Sequence, residues 1–263
     1  AVLRQLDAGG LLRRDCPTVS GRTIGAIADA APAADREVIF PVDAPLKHRA
    51  GFIVLSGNFF DSAIMKMSVV GEAFRQTYLS EPGAENVFET RAIVFDGPED
   101  YHARINDPAL AIDERCILVI RGCGTVGYPG SAEVVNMAPP AALVKQGIES
   151  LPCMGDGRQS GTSASPSILN MSPEAAAGGG LALLRTGDRI RVDLNARRVD
   201  VLVDAEELER RRESATFSVP QSQTPWQEIY RKCVGQLSTG GCLEPATLYL
   251  NVIETRGNPR HSH

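Results

Sequence analysis

The 263-residue chain balances 27 Lys and Arg against 32 Asp and Glu, a formal net charge of −5. That balance argues against a nucleic-acid groove as the main function, and an aromatic content of 5% argues against stacking platforms for bases. A hydrophobic content of 43% with 22% charged residues fits a globular protein with an ample core, and no apolar run approaches the roughly 20 residues of a membrane helix.

Residues 1–14 read as a helix, with Val2, Leu3 and Leu6 on one face and Gly9-Gly10 breaking it. A helix that begins at residue 1 without a cap or initiator Met suggests a chain cut from something longer. A weak helical pattern covers residues 22–31, and residues 32–36 read as a linker. From about residue 38 the texture changes to strands: Val38-Ile39-Phe40, residues 51–55, residues 63–70 and residues 90–95. Gly97-Pro98-Glu99-Asp100 starts a short helix, with Pro in the first turn and acids favoured by the helix dipole. The continuous apolar run CILVI at residues 116–120 predicts a strand buried on both faces.

Residues 139–147 fit a helix opened by Pro and closed by Gly, and residues 150–154 fit a short strand. Residues 173–184, rich in Ala and Gly, read as a helix packed closely on a sheet. Two alternating runs, residues 189–194 and 198–203, flank Asn195-Ala196-Arg197 and predict a hairpin. A charged helix is expected over residues 204–212, loop over 213–225, a helix over 225–236 and a last strand or helix over 246–253. Many strands with few intervening helices predict an α+β fold, with a β-rich, barrel-like sheet over residues 38–212.

The densest chemistry lies between Cys153 and Glu174. Gly155-Asp156-Gly157 is followed by Arg158, Gln159, Ser160, Gly161, Thr162 and Ser163, a concentration of amides, hydroxyls and one guanidinium suited to a small polyoxygenated anion. Gly122-Cys123-Gly124-Thr125-Val126-Gly127 matches G-x-G-x-x-G, but Tyr128-Pro129-Gly130 prolongs a loop where a dinucleotide site needs a helix. That loop instead carries Glu133 towards a site; a solvated surface acid is the plainer alternative. Ser160 lies outside the G-x-S-x-G pattern, so by its residues alone it reads as a loop hydrogen-bonder, with a serine hydrolase as a weaker possibility. The ending Arg260-His261-Ser262-His263 reads as a frayed tail or as two imidazoles able to reach a ligand. The six cysteines, at 16, 116, 123, 153, 233 and 242, form no C-x-x-C pair and read as reduced thiols of a cytoplasmic protein.

Together the motifs Val19-Ser20-Gly21-Arg22-Thr23, Leu55-Ser56-Gly57-Asn58, Arg91-Ala92-Ile93-Val94-Phe95, Gly127-Tyr128-Pro129-Gly130-Ser131-Ala132-Glu133, Asp156-Gly157-Arg158-Gln159-Ser160-Gly161 and Ser172-Pro173-Glu174-Ala175 resemble, in order, the C-terminal half of the dihydroxy-acid and sugar-acid dehydratase family. Gln159 and the His-x-His ending resemble its pentonate branch (L-arabinonate and D-xylonate). The resemblance implies a hydro-lyase that converts a 2,3-dihydroxy sugar acid, a pentonate, to a 2-keto-3-deoxy acid. It implies Ser160 as the base at C2 and Glu133 as a ligand of Mg²⁺. It further implies substrate contacts from Thr162, His261 and His263, and Arg158 as a holder of the loop. An iron–sulfur cluster, 2Fe–2S by expectation, would polarise the leaving C3 hydroxyl. None of the six cysteines matches its ligands, which are expected in an N-terminal half outside this chain.

On the same resemblance, residues 1–34 are the end of that α/β domain and a linker, residues 35–212 a swivelling β/β/α catalytic domain, and residues 213–263 a helical extension and tail. The expected partners are a sugar acid, the N-terminal domain and further copies in a dimer or tetramer, with no nucleic acid and no membrane. This chain alone is expected to be inactive. The alternative is a non-catalytic domain that binds sugar acids or regulates through them.

Overall fold

The computed structural model describes residues 1–48, 50–161, 165–248 and Gly257. The chain forms two compact units, Ala1–Ala50 and Gly51–His263.

In the first unit, α1 (Val2–Ala8) ends at Gly9 and α2 (Ile24–Ala30) is opened by Thr23, whose hydroxyl accepts the Ala26 amide at 3.2 Å. Arg14 ties the two helices by pairing with Asp7 of α1 and, at 2.8 Å, with Asp29 of α2. Val38-Ile39-Phe40, read from sequence as a strand, is a turn with Val38 exposed. Three apolar residues in a row are enough to suggest a strand, but among the described residues this run pairs with no strand.

The second unit is built on β1 (Phe52–Leu55), β2 (Ser62–Lys66), β3 (Val87–Asp96), β4 (Cys116–Arg121), β5 (Cys153–Gly155), β6 (Ser167–Ser172), β7 (Arg189–Asp193) and β8 (Arg198–Val201). They form one mixed sheet in the order β1-β2-β6-β5-β4-β3-β7-β8. The inner neighbours β6-β5-β4-β3 run parallel, and the outer pairs are antiparallel. Between the parallel strands lie α4 (Gly97–Arg104) and α5 (Ala141–Val144); α3 (Glu72–Tyr78) precedes β3. The class is α+β, as expected, but the parallel centre with its helical crossovers was not foreseen.

The sheet nearly closes on itself. A bridge joins Ser56, just after β1, to Arg198 of β8, with Val199 N–H donating to the Ser56 carbonyl at 2.8 Å. Asn58 completes the seam: its Nδ2 donates to the Val201 carbonyl at 2.8 Å, and its Oδ1 accepts the Val201 amide at 2.9 Å. Gly57 must be glycine here, because a Cβ would stand 1.9 Å from the Val199 carbonyl oxygen. This gives the Leu55-Ser56-Gly57-Asn58 motif a structural meaning.

Strand alternation divides the core in two. Ala92, Val94, Ile117 and Val119 face one large cluster with Met154, Ile168, Ile190 and Val199. Ile93, Phe95, Leu118 and Ile120 face a second cluster with Val135, Leu143 and Leu151. The CILVI run is fully buried throughout, as its composition predicts. The hairpin β7–β8 also forms as predicted, with Arg197 at φ 57° in its turn.

Residues 173–184 do not form the expected helix. They make two short 3₁₀ turns, Ala175–Ala177 and Gly180–Leu183, after a cis Ser172-Pro173 bond. Gly179 and Gly180 lie so close to the Pro173 and Phe59 carbonyls, 1.7 and 1.8 Å from an added Cβ, that the segment follows its neighbours' backbone rather than a helical path. Beyond the sheet are α6 (Ala205–Ser214), α7 (Pro225–Cys233) and α8 (Glu244–Thr247); the expected element over 246–253 falls mostly outside the described residues.

Candidate active site

Parallel strands aim all their carboxyl ends at one edge of the sheet, and ligands of open α/β sheets bind outside such edges. Here that edge carries the loops that follow β4, β5 and β6, and two buried carboxylates tie them together.

Asp156, directly after β5, is completely buried. Its Oδ1 accepts the Cys123 amide at 2.8 Å, and its Oδ2 accepts the amides of Gly122 at 3.0 Å and Ala175 at 2.9 Å. Glu174, after β6, is 2% exposed. Its Oε1 accepts from the Val126 amide at 2.9 Å, the Thr125 hydroxyl at 2.9 Å and Gln236 Nε2 at 3.0 Å; its Oε2 accepts the Gly127 amide at 2.8 Å. The G-x-G-x-x-G stretch is therefore an anion nest whose anions are the protein's own side chains. No helix opens on it, and four of its amides are already spoken for, which excludes a dinucleotide phosphate there. Gly124 has no room for a Cβ, which would meet Glu174 Oε2 at 2.5 Å.

Burial pushes the Asp156 carboxyl up to about 6, the nearby Glu174 charge adding to the rise while the three amides resist it. Asp156 lies at the start of the stretch read from sequence as suited to a small anion, and its own carboxylate is held by three backbone amides. The sequence signal was present: an acid set into the fully buried run CMGDG needs internal donors.

The loops after β4 and β5 also pair directly. The Arg158 amide donates to the Ala132 carbonyl at 2.9 Å, and the Val135 amide donates to the Arg158 carbonyl at 3.1 Å. The Arg158 side chain secures the same contact, with Nε donating to the Ser131 carbonyl at 2.8 Å and Nη1 pairing with Glu133 Oε1 at 3.3 Å. The pairing sets the segment that carries Glu133 beside the start of the turn that carries Ser160. Glu133 is about half exposed and Ser160 half-buried. Lys66, the last residue of β2, reaches this turn and donates to the Gly161 carbonyl at 3.1 Å. Sequence reasoning missed Lys66, which is 95 residues away along the chain. Thr162, His261 and His263 lie outside the described residues.

A separate cavity of about 450 Å³ opens beside β3 and β4, lined among others by Asp96, Glu99, Arg121, Tyr128, Phe217 and Arg231. Its arginines are engaged by the protein: Arg121 donates to the carbonyls of Leu181, Ala182 and Leu184, and Arg231 to those of Val126, Gly127 and Pro220. Neither Glu133 nor Ser160 lines it.

The donor chemistry separates the two inorganic groups that the sequence resemblance implies. A half-exposed carboxylate beside a polar turn fits one ligand position of Mg²⁺, a hard cation that takes oxygen donors and retains waters. The three buried cysteines, Cys116, Cys123 and Cys153, do not fit an iron–sulfur cluster. Burial pushes the Cys153 thiol up to about 12 and those of Cys116 and Cys123 upward as well, disfavouring the thiolates that cluster ligation requires. Among the described residues, no three His, Cys, Asp or Glu gather at a possible metal site.

A family model, that of the dihydroxy-acid/6-phosphogluconate dehydratase C-terminal region, matches residues 37–241. The chain belongs to this family. Over all 263 residues it is 60% identical to D-xylonate dehydratase of Caulobacter vibrioides, covering 44% of that protein. It is 39% identical to L-arabinonate dehydratase of Rhizobium leguminosarum bv. trifolii over 211 residues, 80% of this chain and 34% of the relative. L-arabonate dehydratase of Azospirillum brasilense is 37% identical across the whole of this chain, which covers 44% of it. The chain thus spans less than half the length of these dehydratase relatives. Among the described residues, no helix is long and apolar enough to cross a membrane.

Proposed function

We propose that this dehydratase-family chain is the C-terminal part of a cytoplasmic sugar-acid hydro-lyase acting on a pentonate. In this reading the C2 proton of a 2,3-dihydroxy acid passes to the Ser160 alkoxide. The C3 hydroxyl leaves as hydroxide and becomes water on taking up a proton, and Ser160 gives up the proton it gained, so that the count closes. The resulting enol tautomerises to the 2-keto-3-deoxy acid. The observation that carries the reading is the pairing of residues 132–135 with Arg158, which sets the Glu133 carboxylate beside the Ser160 turn. The names of the relatives support the pentonate.

A serine hydroxyl is a poor base at neutral pH, and neighbouring positive charge favours its ionised form. Glu133 would hold Mg²⁺, which supplies such charge and a grip on the substrate's oxygen atoms. Arg158 keeps the Glu133 segment in place. Thr162, His261 and His263 remain proposed substrate contacts. Cluster ligands, the rest of the metal shell and the dimer or tetramer contacts would come from protein outside this chain.

The test uses the full-length protein with D-xylonate and L-arabinonate, following formation of the 2-keto-3-deoxy acid. Ser160→Ala should lower kcat by about 10³-fold or more while calorimetry still detects substrate binding. Turnover at the parent rate in that variant would remove Ser160 from the mechanism.

A further inference from the structure

Lys66 belongs to none of the motifs that led to the candidate site, yet its side chain ends on it. It closes β2, where Ala63 and Met65 face the large core and Ile64 and Lys66 alternate to the other face. From that face its ammonium donates to the carbonyl of Gly161, the residue after Ser160, at 3.1 Å. Among the described residues no carboxylate pairs with Lys66, so its charge is not neutralised by an ion pair. Charged side chains on the turn and on the segment paired with it include Arg158 at its start and Glu133, which pairs with Arg158.

We propose that Lys66 is a positioning residue for Ser160: it holds the Ser160-Gly161 peptide by its carbonyl and sets an uncompensated positive charge beside the serine, favouring the alkoxide. The proposal rests on Ser160 being the base. A fixed cation a few ångströms from an ionising hydroxyl lowers the pH at which the anion forms, by one to three units for charges within about 4–6 Å. A strand anchors it better than a loop would, because Lys66 is fixed by pairing with Phe52 of β1.

Lys66→Gln, Lys66→Arg and Ser160→Ala are compared in the full-length enzyme. Glutamine retains a donor for the Gly161 carbonyl without the charge, whereas arginine retains both. The acid limb of kcat/KM reports the base of the free enzyme. Lys66→Gln should move that limb to higher pH by about one unit or more, with kcat/KM below the limb reduced about tenfold or more and the melting temperature unchanged. Lys66→Arg should leave the limb near its parent position. An unshifted limb in Lys66→Gln, or equal loss in both lysine variants without a shift, overturns the proposal. A fully active Ser160→Ala overturns instead the reading beneath it. If Ser160→Ala is inactive and the limb of Lys66→Gln stays put, only the role of Lys66 falls.

Discussion

Glu174→Gln tests whether the buried carboxylates organise the loops. In the parent, one carboxylate takes four donors, three on Oε1 and the Gly127 amide on Oε2. Glutamine can place its oxygen where Oε1 stood and keep the bonds from Thr125, Val126 and Gln236. Its NH₂ then faces the Gly127 N–H, donor against donor. An unpaired buried donor costs about 1–3 kcal/mol, and the three retained bonds lose their charge assistance. A loss of about 2–4 kcal/mol follows, which in a chain of this size lowers the melting temperature by roughly 5–15 °C.

Thermal unfolding followed by circular dichroism gives the shift, and hydrogen exchange should locate the loosening at the amides of Val126 and Gly127. Gly124→Ala supplies an independent route to the same lesion, since its Cβ would displace Glu174 Oε2 from 2.5 Å. The two substitutions together should cost clearly less than their sum, because each breaks the same bonds. A Glu174→Gln chain that melts within about 1 °C of the parent, with unchanged exchange at residues 126 and 127, would refute the idea that this carboxylate holds the loop.

Asn58→Ala removes both bonds to Val201 at the sheet seam and should lower the urea midpoint by an amount equivalent to about 1–3 kcal/mol; an unchanged midpoint would mean that the bridge at Ser56 closes the sheet without help. For Asp156 the folded value of about 6 lies above the ordinary 3.8. Between roughly pH 4 and 6 the folded chain therefore binds a proton that the unfolded chain releases, and the contribution of this group to stability is lost as pH rises through that window. About two units correspond to roughly 3 kcal/mol. Urea unfolding of parent and Asp156→Asn across pH 4–7 measures it, and parallel curves would show that the group does not titrate there.

The strands that were legible each have a local signature. The run at residues 116–120 is apolar on both faces, and β7–β8 alternate around a polar turn. The parallel centre was not legible, because β5 has only three residues and its partners, β4 and β6, are chosen by the sheet as a whole. Family motifs pointed to Ser160 and Glu133, but what sets their segments side by side is a backbone pairing across more than twenty residues, invisible in either motif alone. Lys66 and Glu174 escaped for a related reason. A lysine at the end of a strand and a glutamate after a proline look like ordinary solvated charges until the fold shows what they face.

The seam between Ser56, Asn58 and the last strand has a bearing on where this polypeptide can be shortened. A sheet drawn almost into a ring leaves little raw backbone for another molecule to extend. Removing either the first or the eighth strand would reopen two long margins at once, and a shortened chain would bare the lattice on which strands from other molecules align and aggregate. The residues from 52 to 201 therefore stand or fall as one piece, although the motifs of the candidate site occupy only its middle.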